Sequence, residues 1–390
     1  MQPKCSKKMS RKELEILKRT LKNASDVAAG LRKDSSYCTQ LPRILGIKLT
    51  NRCNLRCIHC YEWNEKGYHH KMSEKEKNEE IDIEILNQLF KDTNDICSNV
   101  YLWGGEPFCY SKFSELAGLL KNSERIIAIC TNGQLLKEHL QDILLMGENV
   151  ELLIAVDGLQ QENNIMRGKG TFEKTINNIK MLLELRKTNQ FLGKISIHFV
   201  INENMIGKIY NFLEFFEQLG VDSVILCYPW YISQNTSLEM DQYYEKNIGR
   251  LKGDGTSWYA FKYALSMEYY DEFLEERNKI LGRVWKMHVR FQPELDEMQI
   301  EDFLQDKLKK EKYQCYSVCD RIEILPDGSV SSCKHFPEFI VGNLKDSSLD
   351  EIWRGHTYNE RRKMIQRELM PVCTKCNNLY LHGRRKLHEE

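Results

Sequence analysis

The sequence predicts an α/β protein built on a parallel sheet, followed by a small cysteine-rich α+β module. Three observations carry this. Between residue 43 and about residue 230, six short apolar runs alternate with amphipathic stretches. The residues suited to chemistry fall at the C-terminal ends of those runs. Near the C-terminus, five cysteines recur within 62 residues.

Each element follows from local pattern. The N-terminal stretch MQPKCSKKMSRKELEILKRTLKN has heptad-like apolar spacing that suits a short surface helix, and it lacks the apolar core of a secretory signal. The apolar runs are RILGIKLT (43–50), VYLWGG (100–105), RIIAICTNG (125–133), VELLIAVDG (150–158), KISIHFVIN (194–202) and DSVILCYPW (222–230). They are rich in Ile, Val and Leu and largely without alternation, as expected of strands buried on both faces. Between them, IDIEILNQLFKDT, SKFSELAGLLKN, LLKEHLQDILLMG, TFEKTINNIKMLLELRK and KIYNFLEFFEQLG repeat apolar residues at helical spacing, and Gly147 and Gly220 close two of them. Six βα units in a row read as a complete or partial barrel or as an open doubly wound sheet. In either architecture chemistry collects at the C-terminal strand ends, here residues 50–60, 104–107, 131–133, 157–158 and Asn202.

Residues 231–312 break this rhythm; rich in Tyr, Trp, Glu and Lys, with little strand signal, they read as a helical bridge or substrate-facing insertion. Residues 313–390 form the cysteine-rich module: a strand (RIEIL), a Pro-Asp-Gly turn, a second strand (SVSSC), a short helix around SLDEIW and a longer one over YNERRKMIQREL. The chain thus divides into a 1–42 helical extension, a 43–230 core, the 231–312 segment and the 313–390 module.

Composition narrows the function. Lys plus Arg and Asp plus Glu are 56 each, a balance that argues against a nucleic-acid partner. No apolar run reaches membrane-spanning length. The expected location is the cytoplasm, where 14 cysteines point to metal or redox chemistry rather than to disulfides.

The stretch LTNRCNLRCIHCY (49–61) places Cys53, Cys57 and Cys60 directly after a strand. Three thiolates at this spacing can hold three corners of a [4Fe–4S] cluster and leave one iron for an exogenous ligand. The competing reading is a zinc site completed by a distant residue or by His59, which adjoins Cys60 and is expected to point away. The loop resembles the signature of the radical S-adenosylmethionine (SAM) enzymes. The second run ends in WGGEP, similar to that family's GGEP; the third ends in TNG and the fourth in VDG. That resemblance covers residues 43 to about 230 and implies a partial (β/α)6 TIM-like barrel. It also implies SAM binding by Gly104, Gly105 and Glu106, with Arg167 in ENNIMRGKGTFEKTINNIKML reaching the SAM carboxylate. Where many relatives have SLDG this chain has AVDG, so Ala155 offers SAM no hydroxyl.

In the C-terminal module, Cys315, Cys319 and Cys333 with the PVCTKC pair suit either a zinc ribbon or an iron–sulfur centre. The pattern, continued through GNLKDSSLDEIWRG, resembles the SPASM domain and its shorter twitch form. It implies one auxiliary [4Fe–4S] cluster on Cys315, Cys333, Cys373 and Cys376, with Cys319 spare or in place of Cys315. Cys5, Cys38, Cys97, Cys109, Cys130 and Cys227 lack ligand spacing and read as small core residues. So do the aromatics of YPWYI (228–232), and the paired His69 and His70 receive no role. Asp157, at a strand end, is a candidate for proton handling.

The resemblance implies reductive cleavage of SAM to a 5′-deoxyadenosyl radical that abstracts hydrogen from carbon. The substrate would be a peptide or protein in a maturase-type reaction, or else a sugar, aminocyclitol or tetrapyrrole. A donor such as flavodoxin or ferredoxin would supply the electron. About 40 residues precede the first strand, too few for a winged-helix leader-binding domain. A non-enzymatic iron–sulfur or zinc protein is the reading from another class.

Overall fold

The computed structural model describes residues 2–251, 256–310 and 313–382; Met1 of the N-terminal extension, four residues of the 231–312 segment with its last two, and the final eight of the 313–390 module lie outside them. The six apolar runs form β1 (Ile44–Lys48), β2 (Asn99–Trp103), β3 (Ile127–Thr131), β4 (Val150–Ala155), β5 (Lys194–Val200) and β6 (Ser223–Cys227). Each pairs parallel with the next.

The strands alternate in what they bury. Leu45, Ile47, Leu102, Ile129, Ile154, Ile197 and Leu226 have no exposed surface and pack on the helix-covered side. The intervening residues, among them Tyr101, Cys130, Leu153, His198 and Cys227, line a central cavity of about 620 Å³. The expected burial on both faces is therefore corrected: the inner face borders a cavity. Side chains along a strand point alternately to opposite faces, and the wall residues are themselves largely apolar, which hides the alternation in sequence.

Helices cover the outer face: α1 (Arg11–Leu31), α2 (Ile83–Asp92), α3 (Phe113–Leu119), α4 (Leu140–Leu145), α5 (Gln160–Arg167), α6 (Thr171–Lys187) and α7 (Ile209–Leu219). Local chemistry sets their ends. Ser10 and Glu13 form a capping box at the start of α1, and Asp82 caps α2, contacts of about 1 kcal/mol each. Gly220, at φ +93°, terminates α7.

The described residues of 231–312 supply the helices α8 (Gln234–Asn247), α9 (Tyr270–Gly282) and α10 (Glu297–Leu304), but also a strand, β7 (His288–Gln292). This strand extends the parallel sheet beyond β6, with Ile225 opposite Arg290. Its sequence, HVRFQ, buries only Val289 and Phe291 outward, so two apolar residues are all the local signal it has. Beside β7, Val284–Trp285 pairs with Lys4–Cys5 and draws in the N-terminus.

The C-terminal module joins the same sheet. Strand β8 (Arg321–Ile324) pairs parallel with β1, Ile322 opposite Leu45. It then turns into β9 (Ser329–Ser331), which pairs with β10 (Ile340–Asn343), a strand the sequence did not signal. Among the described residues the order is β10-β9-β8-β1-β2-β3-β4-β5-β6-β7, an open, mostly parallel ten-stranded sheet. That is the partial barrel expected, with β7 added at one edge. Helices α11 (Leu349–Trp353) and α12 (His356–Arg367) close the module.

Candidate active site

The cysteine loop is held by the strand end beside it. Leu49 N–H donates to Trp103 O (2.9 Å), Gly105 N–H to Thr50 O (3.0 Å) and Glu106 N–H to Arg52 O (2.8 Å). The two glycines make this docking possible. A Cβ on Gly104 would lie 2.5 Å from Thr50 O, and one on Gly105 would lie 2.3 Å from Arg52 O. Gly104 also adopts φ +155°, which side-chain-bearing residues avoid. Other strand ends complete the hold: Asn132 donates to Asn54 (2.7 Å), and Ile58 N–H donates to Met166 O (3.0 Å) at the end of α5.

Cys53, Cys57 and Cys60 all line the cavity. Burial pushes all three thiols up, Cys60 to about 12. A thiolate forms here only if a cationic centre offsets that penalty, which is what iron provides. Glu106 borders the same space and is 1% exposed. Its Oε1 accepts from Thr131 Oγ1 (2.7 Å) and Phe108 N–H (3.2 Å), and its Oε2 accepts from Asn132 N–H (2.7 Å). Burial nonetheless raises its carboxyl to about 7. A carboxylate oxygen has two lone-pair sites, so Oε2 keeps one for a further donor.

Arg167 ends α5 with its guanidinium turned into the cavity wall. Its Nε lies 2.6 Å from Asp157 Oδ2, and its Nη1 donates to Cys57 Sγ at 3.6 Å. Burial disfavours its charge, but Asp157 and the Cys57 sulfur outweigh that and keep it protonated. Asp157 has no exposed surface. Burial alone would raise its carboxyl; Arg167 and His59 reverse this and hold it well below the usual range. His59 Nε2 lies 2.6 Å from Asp157 Oδ2, and Val200 N–H donates to Oδ1 at 2.9 Å. Asp157 thus positions one residue from α5 and one from the cysteine loop.

Several expectations are corrected here. His59 does not point away: it lines the cavity. Cys130 and Cys227 line it too, rather than serving only as core, whereas Tyr228 packs in the core as expected and, with Pro229 and Trp230, also borders the cavity. Trp230 lies edge-to-face against His335 at 4.3 Å. His69 is fully buried and receives Lys48 Nζ at 3.1 Å. That lysine also pairs with buried Glu62 at 2.7 Å, a charged network behind the loop. Ala155 borders the cavity and sits opposite His198 in the sheet.

In the C-terminal module Cys315, Cys333, Cys373 and Cys376 come together: burial pushes the Cys373 thiol up, and the other three, close by, push it further. Cys319 is fully buried near Cys315 and Cys38, and Gln366 of α12 donates to it at 3.8 Å. Among the described residues no three His, Cys, Asp or Glu side chains converge tightly enough for a single metal ion.

Fold and site together define an α/β partial barrel whose cavity is lined by three closely spaced cysteines, a buried glutamate and a buried arginine. Residues 47–213 match the family described as the Radical SAM superfamily, and residues 315–377 match SPASM, an iron–sulfur cluster-binding domain. The chain belongs to the radical SAM superfamily and carries a C-terminal SPASM domain. Its cofactors are accordingly a [4Fe–4S] cluster, SAM and further iron–sulfur in the SPASM domain, and the cysteine sets present suit them.

Among curated relatives, it is 23% identical over 302 residues to "Probable GTP 3′,8-cyclase" of Saccharolobus islandicus, spanning 77% of this chain and 85% of that protein. It is 28% identical over 155 residues to "Sporulation killing factor maturation protein SkfB" of Bacillus subtilis, spanning 40% of this chain and 36% of that one. In structure it resembles SuiB of Streptococcus suis bound to S-adenosylmethionine, with TM-score 0.57 and 17% identity over 91% of this chain and 74% of that one. It also resembles anSMEcpe with bound AdoMet, at TM-score 0.54 and 19% identity over 89% and 92% of the two chains. No helix among the described residues is long and apolar enough to cross a membrane.

Proposed function

We propose that this enzyme modifies a peptide or protein, abstracting hydrogen from a carbon held between two cysteine-bound clusters. One observation carries the reading. A single cavity of about 620 Å³ has Cys53, Cys57, Cys60, Glu106 and Arg167 in its wall and reaches Lys334, His335, Asn377 and Asn378 of the SPASM module. That volume suits a substrate portion of ligand size.

In this reading Cys53, Cys57 and Cys60 hold three irons of the catalytic cluster. The remaining lone pair of Glu106 Oε2 accepts from the ammonium of SAM, beside the backbone at Gly104 and Gly105. Arg167 has five N–H donors; those not directed at Asp157 and Cys57 take the SAM carboxylate. Cys315, Cys333, Cys373 and Cys376 hold one auxiliary cluster. When bound, cluster and SAM supply reductive carbon–sulfur cleavage and hence a carbon-centred hydrogen abstractor, the electron coming from a donor such as flavodoxin or ferredoxin.

The peptide reading draws support from SuiB, solved bound to a precursor peptide, from anSMEcpe, solved with a peptide, and from SkfB, named as a maturation protein. The cyclase relatives, which align over most of their length, favour a small-molecule substrate as the second reading. The test is 5′-deoxyadenosine formation by anaerobically reconstituted enzyme with SAM and dithionite, given cell extract split into peptide-sized and small-molecule fractions. Stimulation by the larger fraction, abolished by protease, supports the peptide reading. Protease-resistant stimulation by the smaller fraction overturns it.

A further inference from the structure

We propose that Lys334, with Arg321 and His335, forms a recognition site for a negatively charged oxygen group of the substrate, carboxylate or phosphate, on the SPASM side of the cavity. This rests on the reading above only in taking this cavity as the substrate's; a peptide and a small molecule can each carry such a group.

Arg321 opens β8, while Lys334 and His335 follow β9 directly after Cys333, so all three reach the cavity from the module rather than from the barrel. Lys334 Nζ lies 4.3 Å from the Tyr101 ring centroid, and the Arg321 guanidinium carbon 5.2 Å from the same ring. Two cations therefore lie over one aromatic ring.

One carboxylate lies beside them, and it pairs with Arg321. Glu323 accepts from Arg321 Nε at 3.0 Å and from Trp103 Nε1 at 2.5 Å. Gly46 leaves room for this pair, since a Cβ there would lie 2.0 Å from Glu323 Oε2. The other acids of the wall are engaged elsewhere. Glu62 pairs with Lys48, Glu106 has three donors, and Glu151 accepts from Ser196. Among the described residues Lys334 has no carboxylate partner, and neither has Arg290, which lines the cavity from β7.

Two further buried groups are without partners among the described residues: Arg321 Nη2, on a residue 8% exposed, and His335 Nε2, on a residue 5% exposed and a donor in the tautomer protonated there. A buried donor left unpaired costs free energy that a ligand can recover. Unpaired cations and idle donors in one wall are complementary to an oxyanion, which charged donors bind most strongly. The competing role is as counter-ion to the neighbouring cysteine cluster, because Lys334 adjoins Cys333 and the charge of Cys376 reaches it.

Inorganic phosphate and succinate are the probes, each titrated calorimetrically into anaerobically reconstituted enzyme saturated with SAM, so that the SAM carboxylate site is occupied. Succinamide is the neutral control. Saturable binding of phosphate or of succinate, but not of succinamide, supports the proposal, and the anion that binds identifies which group the substrate carries. Lys334→Met should weaken that binding about tenfold or more, with iron content and the reduced-state EPR signal unchanged, and Lys334→Arg should restore most of it. Failure of both anions to bind, equal binding of succinamide, or undiminished binding by Lys334→Met would overturn it. So would loss of iron in Lys334→Met, which would make Lys334 the cluster's counter-ion.

Discussion

Asp157 shows how much one buried carboxylate organises. It accepts from Val200 N–H while facing both Arg167 and His59 at 2.6 Å. Removing one partner of a buried pair leaves the other charge uncompensated, typically at a cost of 3 kcal/mol or more. Asp157→Asn should therefore lower anaerobic urea stability by about 3 kcal/mol and weaken SAM binding through a displaced Arg167. An unchanged urea midpoint would refute that role.

His69 makes a second residue-scale prediction. Burial lowers it from 6.5 to about 3, and its Nε2 receives the Lys48 ammonium, so it stays neutral in the folded chain. The unfolded chain binds the proton first, so the contribution is complete above about pH 6.5 and is lost as pH falls toward 3. His69→Gln, which keeps an acceptor but cannot titrate, should flatten that acid limb in a melting-temperature series. A parallel fall in both proteins would exclude His69 as the source.

At the scale of elements, the cysteine loop and the strand end of β2 act as one unit. Three backbone hydrogen bonds and the missing side chains of Gly104 and Gly105 join them. Gly105→Ala would drive a methyl into Arg52 O, a backbone atom that cannot rotate away. The expected outcome is reconstitution with about four irons rather than about eight, loss of SAM cleavage and an unchanged far-UV spectrum. Full iron content would show that the loop adapts. GGEP was legible in sequence because it is a contiguous motif at a strand end, although its glycines serve contacts to the loop one βα unit earlier. Strand β7 was not, because HVRFQ gains its place only by pairing with β6.

At the scale of the whole molecule, one ten-stranded sheet runs through both the barrel and the C-terminal module, and this limits how the chain divides. β1 lies between β2 and β8, with Trp353 of the module donating to Thr39 O at 2.8 Å just upstream. Cutting the chain after residue 312 would strip β1 of a hydrogen-bonded neighbour and bare an apolar edge. Residues 1–312 alone should therefore aggregate on size exclusion, and the intact chain should melt in a single calorimetric transition. A monomeric fragment with a native-like spectrum would show the module to be separable.

The sequence by itself determined the βα rhythm, the three-cysteine loop, the strand-end motifs and the C-terminal cysteines. These are set by spacing within short segments, where backbone geometry and ligand count act locally. Only the tertiary structure decided which residues look into the cavity. His59, Cys130, Cys227 and Lys334 gain their positions from strand register and from the pairing of β8 with β1 across more than two hundred residues. A side chain's direction depends on which face of the sheet is closed, and that is settled only when distant strands pair.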